Sequence, residues 1–173
     1  MPTTDPLMTG ATPADRPPIV ALIGLGALGA AHVATMINHD PATVVRVIAG
    51  GERGERLRQQ GMTANDRTYD LTVVAPGEDS QPPADLVLLA VKAYDLEPAI
   101  ADIAGQVGPD TVIVSLLNGV ASERAVQEAY PDNFVPLAYS ILSNAGRDDT
   151  GFRFYAVGQI HLGEPTNDPP SAR

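Results

Sequence analysis

Short apolar runs alternate with segments of helical periodicity along most of this chain. The runs at 19–23, 85–91 and 111–117 are mainly apolar, as strands buried on both faces of a parallel sheet are. Segments 43–48, 68–74 and 134–142 also predict strands, and segments 27–38, 52–60, 96–107 and 123–130 predict the helices between them. The runs 152–157 and 159–162 flank Gly158 and predict a closing hairpin. This order predicts an α/β fold with a doubly wound, mainly parallel sheet and a C-terminal antiparallel hairpin.

The first predicted strand leads directly into a glycine pattern. The pattern G-x-G-x-x-G comprises Gly24, Leu25, Gly26, Ala27, Leu28 and Gly29. Between a strand and a helix, the first glycine makes the turn, the second lets the backbone approach a pyrophosphate, and the third lets the helix pack closely. Free N–H groups at the start of the helix attract the phosphates. We therefore expect a Rossmann-type dinucleotide site here, and the alternative is a glycine-rich turn that binds no ligand.

The end of the second strand indicates which dinucleotide is bound. NAD-specific folds place Asp or Glu about 20 residues after the glycines, whereas Gly50 and Gly51 occupy that point here. Arg53 and Arg56 lie just beyond, where a guanidinium can hold a 2′-phosphate by charge-assisted hydrogen bonds. We expect NADP as the cofactor and Arg53 as its phosphate ligand. The alternative is that both arginines pair with glutamates 52 and 55 on a solvated helix face, and for Arg56 this alternative is favoured.

Two further strand ends place polar side chains at the same edge of the predicted sheet. Lys92 and Asn118 each follow an apolar run, and ligands of such sheets bind outside the carboxyl ends of the strands. Lys92 is placed to meet a phosphate, a ribose or a carboxylate, and Asn118 to bond a carboxamide or a keto or hydroxy group. The alternatives are a surface lysine and an ordinary Asn-Gly turn.

Composition narrows the class of partner. The net charge is −10, aromatic residues make up 5% and there is no Trp, which argues against nucleic acid and anionic membranes. The absence of Cys excludes disulfides, thiolate zinc sites and a Cys nucleophile, and we expect no metal. No apolar run is long enough to span a bilayer, and the N-terminus lacks a signal-peptide pattern. We expect a cytoplasmic protein with no nucleic-acid or membrane partner.

The two ends differ in composition from the middle of the chain. Residues 1–17 contain four prolines among Thr, Asp and Ala, which predicts a disordered leader. Residues 18–165 suffice for one dinucleotide-binding domain. Residues 166–173 are polar and proline-rich, and predict a tail or a truncated linker to a second domain.

Four motifs together resemble the N-terminal domain of the ketopantoate reductase family. They are G-L-G-A-L-G at 24–29, V-K-A-Y-D at 91–95, L-N-G-V at 117–120 and G-Q-I-H-L-G at 158–163. The resemblance covers about 18–165 and implies reduction of 2-dehydropantoate to pantoate with NADPH, a step in pantothenate synthesis. It also implies that the glycine loop holds the pyrophosphate. Lys92 and Asn118 would then lie at the nicotinamide end, with Asn118 also reaching the substrate.

The chain departs from this family at two points. Many relatives carry an arginine for the 2′-phosphate where this chain has Gly50, and Arg53 is the candidate substitute. The family's C-terminal helical domain supplies the catalytic lysine and a carboxylate, and no counterpart follows here. We therefore expect NADPH binding with weak or no turnover of a small 2-keto acid, and a self-associated or separate helical partner. The alternatives are a non-catalytic module that binds or senses NADP(H), and a reductase of another 2-keto acid.

Histidines offer few further candidates for a proton donor. His161 lies in the predicted closing hairpin, where a structural role is favoured over donation. His32 follows the glycine loop on the first helix, where packing or surface exposure is favoured over a place in the crevice. His39 is expected at the surface.

Overall fold

The computed structural model describes residues 16–118, 121–141 and 143–164. The predicted tail and residues 1–15 of the predicted leader lie outside this part of the chain, so these predictions stay untested. In chain order the elements are β1 (Ile19–Ile23), α1 (Ala27–His39), β2 (Val44–Ile48), α2 (Gly51–Gln60), β3 (Met62–Ala64), β4 (Arg67–Tyr69), β5 (Thr72–Val74), β6 (Leu86–Leu89), α3 (Leu96–Asp102), β7 (Val112–Ser115), α4 (Ala121–Ala129), β8 (Leu137–Ile141), β9 (Asn144–Asp148), β10 (Gly151–Ala156) and β11 (Gln159–Gly163).

A five-stranded parallel sheet in the order β5-β2-β1-β6-β7 forms the centre of the fold. The chain leaves β1 toward β2 on one side and later returns to β6 on the other. This reversal opens a crevice at the carboxyl ends of β1 and β6. The predicted Rossmann-type, doubly wound sheet is confirmed.

Alternate residues of β1 enter two separate cores. Leu22 packs in one core with Val33 of α1, while Ala21 packs in the other with Ala99 of α3 and Val126 of α4. Side chains of successive strand residues point to opposite faces, so a continuously apolar strand serves both layers. Within the described residues, no helix combines the length and apolar character needed to cross a membrane.

A C-terminal antiparallel hairpin is present, but its strands are not the predicted ones. β10 pairs with β9, and β11 pairs with β8, so the predicted pairing of 152–157 with 159–162 across Gly158 is wrong. The turn that closes the hairpin is built by Asp148, whose carboxylate accepts bonds from the backbone N–H groups of Thr150 and Gly151 at 2.8 and 3.0 Å. Aspartate commonly forms such turns.

The predicted strand 68–74 is in fact two strands in two sheets. β5 joins the parallel sheet, whereas β4 pairs with β3 in a second sheet of order β4-β3-β10-β9. Asn65 and Asp66 connect β3 to β4 at φ of 47° and 62°, a conformation that Asn and Asp tolerate better than most residues. This turn starts a strand pair that the apolar pattern does not reveal, because β4 is mostly exposed.

Candidate functional site

The three motif glycines meet three different surroundings. Gly24 has a φ of +95°, and a Cβ there would lie 2.5 Å from the carbonyl carbon of Ala90, just past β6. A Cβ on Gly29 would overlap the carbonyl oxygen of Gly24. A Cβ on Gly26, in contrast, would have no atom within 4 Å. Two glycines therefore let the loop pack against β6 and α1, and the third leaves open space above the loop.

The start of α1 faces this open space with its N–H groups. Gly26 is the N-cap, no side chain caps the helix there, and the first turn contains no acidic residue. The first N–H groups of a helix have no partner within it, so Ala27 and Leu28 present donors together with the positive end of the helix dipole. This arrangement suits an anion at Gly26.

Two clefts meet at Gly26 and Lys92. The first, of about 470 Å³, extends past the end of β2 and includes Gly50, Arg53 and Pro76. The second, of about 480 Å³, lies outside the ends of β6 and β7. Both are lined by Gly26, Ala90, Val91 and Lys92. Two clefts joined across the glycine loop have the arrangement that a dinucleotide would need, because its pyrophosphate joins two nucleosides.

A contact with Pro76 in the first cleft explains why glycine occupies position 50. A Cβ on Gly50 would lie 2.9 Å from Cδ of Pro76, so the ring of Pro76 fills the space that a side chain would need. Arg53, in the first turn of α2, donates from Nη2 to the carbonyl oxygen of Leu25 at 2.5 Å. This bond ties the guanidinium to the glycine loop, and the side chain lines the first cleft.

The glutamate pairing favoured for Arg56 is wrong. Glu55 pairs instead with Arg58 at 3.6 Å and accepts from Gln59 at 2.7 Å. Residues adjacent in a helix do not face each other, whereas those three and four positions apart do. Within the described residues, Arg56 forms no ion pair.

The structure brings Lys92 and Asn118 into one cleft. Both residues line the second cleft, where Leu117 provides an apolar wall. Gly119 and Val120, the rest of that predicted motif, lie outside the described residues. Tyr94 lines the first cleft and is 82% exposed, a residue that sequence reasoning missed although it stands two positions after Lys92.

The histidines lie outside both clefts. His161 stacks on Tyr139 with ring centroids 4.8 Å apart and accepts or donates a bond with Gln159 at 3.2 Å. His39 is exposed at the end of α1, and His32 is buried at 8% exposure within the same helix. The positions of His161 and His32 agree with structural roles.

Burial of His32 predicts a loss of stability in acid. Among the described residues, the Nε2 atom of His32 has no hydrogen-bond partner, and desolvation lowers the pKa of His32 below its usual value. The unfolded chain therefore binds a proton more readily than the folded chain, so stability is lost as pH falls below about 6.5. Between pH 7.5 and 5.5 we expect this histidine to account for at most about 1.4 kcal/mol of the fall in unfolding free energy. Urea titrations of His32→Leu should show a shallower fall than the wild type.

The matched control for that prediction is the exposed His39. The variant His39→Gln should follow the wild-type pH dependence, because its ring is exposed in the folded chain. Equal pH dependence in all three proteins would contradict a neutral, desolvated His32.

The fold and the glycine loop define a Rossmann-type nucleotide-binding class of domain. A family model described as Ketopantoate reductase PanE/ApbA matches residues 20–167, and the chain belongs to this family. The 2-dehydropantoate 2-reductases of Streptococcus pyogenes serotype M3 and Aquifex aeolicus are 26% and 27% identical to it over 150 residues. These alignments cover 83% and 84% of the chain, and 47% and 46% of the relatives.

Solved structures show the same fold. The crystal structure of 2-dehydropantoate 2-reductase from Methylococcus capsulatus matches with a TM-score of 0.69 at 24% identity, covering 83% of this chain and 47% of that one. A ternary structure of D-mandelate dehydrogenase with NADH and anilino(oxo)acetate matches with a TM-score of 0.70 at 24% identity, covering 87% and 49%. The chain thus spans about half the length of these relatives.

Proposed function

We propose that residues 18–165 form the NADPH-binding domain of a reductase for 2-dehydropantoate, the cofactor half of a two-part enzyme. The observation that carries this proposal is the open space at Gly26, which lies at the start of α1 and between two clefts. A Cβ would fill this space, so glycine keeps it available for a pyrophosphate. Membership of the family supports the reaction class.

Each predicted site residue has a place in this proposal. The glycine loop of residues 24–29 binds the pyrophosphate through the free backbone N–H groups at the start of α1, and Arg53 binds the 2′-phosphate from its position in the first cleft. Lys92 and Asn118 orient the nicotinamide end in the second cleft, where Asn118 also bonds the substrate. When bound, NADPH supplies the hydride.

The described residues hold only part of the chemistry that a 2-keto acid requires. Reduction of the ketone needs a proton donor and a partner for the substrate carboxylate besides the hydride. Among the described residues that line the second cleft, Lys92 is the one ionisable side chain. An ammonium that gives its proton to the ketone no longer carries the charge that holds the carboxylate, so one lysine does not fill both roles through the reaction, and we propose weak or no turnover by the chain alone. A helical partner, separate or self-associated, would supply the second group.

The presence of one ionisable side chain in the described lining of the second cleft also favours a second candidate function. A cleft with one ionisable group is also what a domain that binds or senses NADP(H) without catalysis would have. The substrate could also be another 2-keto acid, since one structural neighbour was solved with anilino(oxo)acetate. A cytoplasmic location fits any of these functions.

Two titrations and one assay test the proposal. In calorimetry with the purified chain, NADPH should bind at least about tenfold more tightly than NADH, since a charge-assisted bond to the 2′-phosphate contributes about 1.5–3 kcal/mol. Oxidation of NADPH with 2-dehydropantoate should stay at background. Binding of neither dinucleotide would contradict a cofactor domain, whereas rapid substrate-dependent oxidation would show a complete active site.

A further inference from the structure

A groove separate from both clefts lies next to the first cleft, and Arg53 stands between the groove and that cleft. It has a volume of about 270 Å³ and lies between α2 and the turn joining β9 to β10. Leu25 and Arg53 line both the groove and the first cleft. The groove is therefore continuous with the place where the adenosine half of a dinucleotide would lie.

Arginines are concentrated in this groove. Arg53, Arg56 and Arg147 line it, which is three of the eleven lysines and arginines in a chain with a net charge of −10. Within the described residues Arg56 and Arg147 form no ion pair, whereas Arg16, Arg58, Arg124 and Arg153 each do. Unneutralised guanidinium groups that converge on one groove favour a bound anion.

Two carboxylates also line the groove, but the arginines outnumber them. Asp148 and Asp149 line it as well. Asp148 is already engaged, because bonds from Thr150 and from Arg153 lower its pKa to about 2, and the Arg153 guanidinium lies 3.0 Å from it. Asp148 therefore stays ionised and shares Arg153 with Asp66, and three arginines face two carboxylates in the lining of the groove.

Arg147 is held in a defined position by an aromatic ring. It is the cross-strand partner of Phe152, and its guanidinium carbon lies 5.4 Å from the centre of that ring. Stacking on a ring face fixes the plane of a guanidinium and leaves its N–H edge free for a bidentate bond to an anion. Arg147 is exposed, and the ring contact restricts the orientations open to its guanidinium.

We propose that Arg147 is a specificity-determining residue that binds the 2′-phosphate of NADPH from the β9–β10 hairpin, in the groove that Arg53 and Arg56 also line. This assignment rests on the proposed cofactor. It also fits the glycine at position 50, because the ring of Pro76 leaves no room for a side chain there and the phosphate ligands must come from other elements. The recognised chemistry is a dianionic phosphate ester on the adenosine ribose.

Calorimetry on the full chain with four ligands tests this assignment. The ligands are NADPH, NADH, adenosine 2′,5′-bisphosphate and adenosine 5′-monophosphate. Arg147→Gln should weaken binding of NADPH and of the bisphosphate about tenfold, or about 1.4 kcal/mol, because a charge-assisted hydrogen bond is lost. It should change NADH and the monophosphate less than about twofold. Arg147→Lys should restore part of the loss, because it keeps the charge without the bidentate geometry.

Two control variants frame the result. Arg53→Gln should lower affinity for the same two ligands, and Arg124→Gln, on exposed α4, should change none. If Arg147→Gln bound NADPH and the bisphosphate as tightly as the wild type does, the assignment would be overturned. A different result is a wild type that binds the bisphosphate but neither dinucleotide, with Arg147→Gln binding the bisphosphate more weakly. That result would support a phosphate site in the groove and contradict the proposed function.

Discussion

Replacing Gly26 by valine should abolish binding of NADPH and NADH alike while leaving the domain folded. The glycine faces open space, because a Cβ at this position would have no atom within 4 Å. The methyl groups of valine would occupy the space above the start of α1 that the pyrophosphate needs. We expect at least a 100-fold loss of affinity, about 2.7 kcal/mol, measured by calorimetry.

The fold should tolerate this substitution. Gly26 has φ −88° and ψ −166°, an extended conformation that valine adopts readily. Valine is a weaker N-cap than glycine, so the free energy of unfolding should fall by no more than about 1 kcal/mol. The matched control is Gly163→Val on β11, where a Cβ would also meet no atom within 4 Å and where affinity should not change. Normal affinity in Gly26→Val would contradict a pyrophosphate at this loop.

The parallel sheet could be predicted because its strands are buried on both faces. β1, β6 and β7 consist of apolar residues in almost every position, and such runs can be recognised from the sequence without knowing which strands they pair with. β3 and β4 have three residues each, and their pairing depends on the Asn65–Asp66 turn rather than on periodicity. The strand partner of β10 is likewise decided by the turn at Asp148, which competes with the more obvious break at Gly158.

Part of the candidate site could likewise be predicted from local sequence, and part depends on tertiary contacts. The spacing of Gly24, Gly26 and Gly29 could be interpreted from sequence, because the turn they form between a strand and a helix depends on neighbouring residues and on the adjacent strand. The closure of Gly50 by Pro76 joins positions 26 residues apart in sequence, and the approach of Arg147 to Arg53 depends on how the hairpin folds back on α2. Neither contact has a signal in local sequence, so the basic groove emerges only from the tertiary structure.

Replacing Gly24 by alanine should destabilise the domain by about 4 kcal/mol, a large share of the roughly 5–15 kcal/mol typical of a folded domain. Two costs combine at this position. A residue with a side chain is strained at a φ of +95°, and its Cβ would lie 2.5 Å from the carbonyl carbon of Ala90, which is backbone and cannot rotate away. Denaturant unfolding monitored by circular dichroism measures the loss.

Gly77 separates the two costs, because it shares the positive φ without the crowding. Its φ is +69°, and a Cβ there would meet no atom within 4 Å, so Gly77→Ala should cost about 1 kcal/mol from backbone strain alone. The difference between the two variants then measures the close approach of the glycine loop to β6. Equal losses would mean that the backbone at Ala90 moves aside at little cost, and that turn conformation alone requires glycine at position 24. A difference of about 3 kcal/mol would show that the sheet itself holds the loop at the mouth of both clefts.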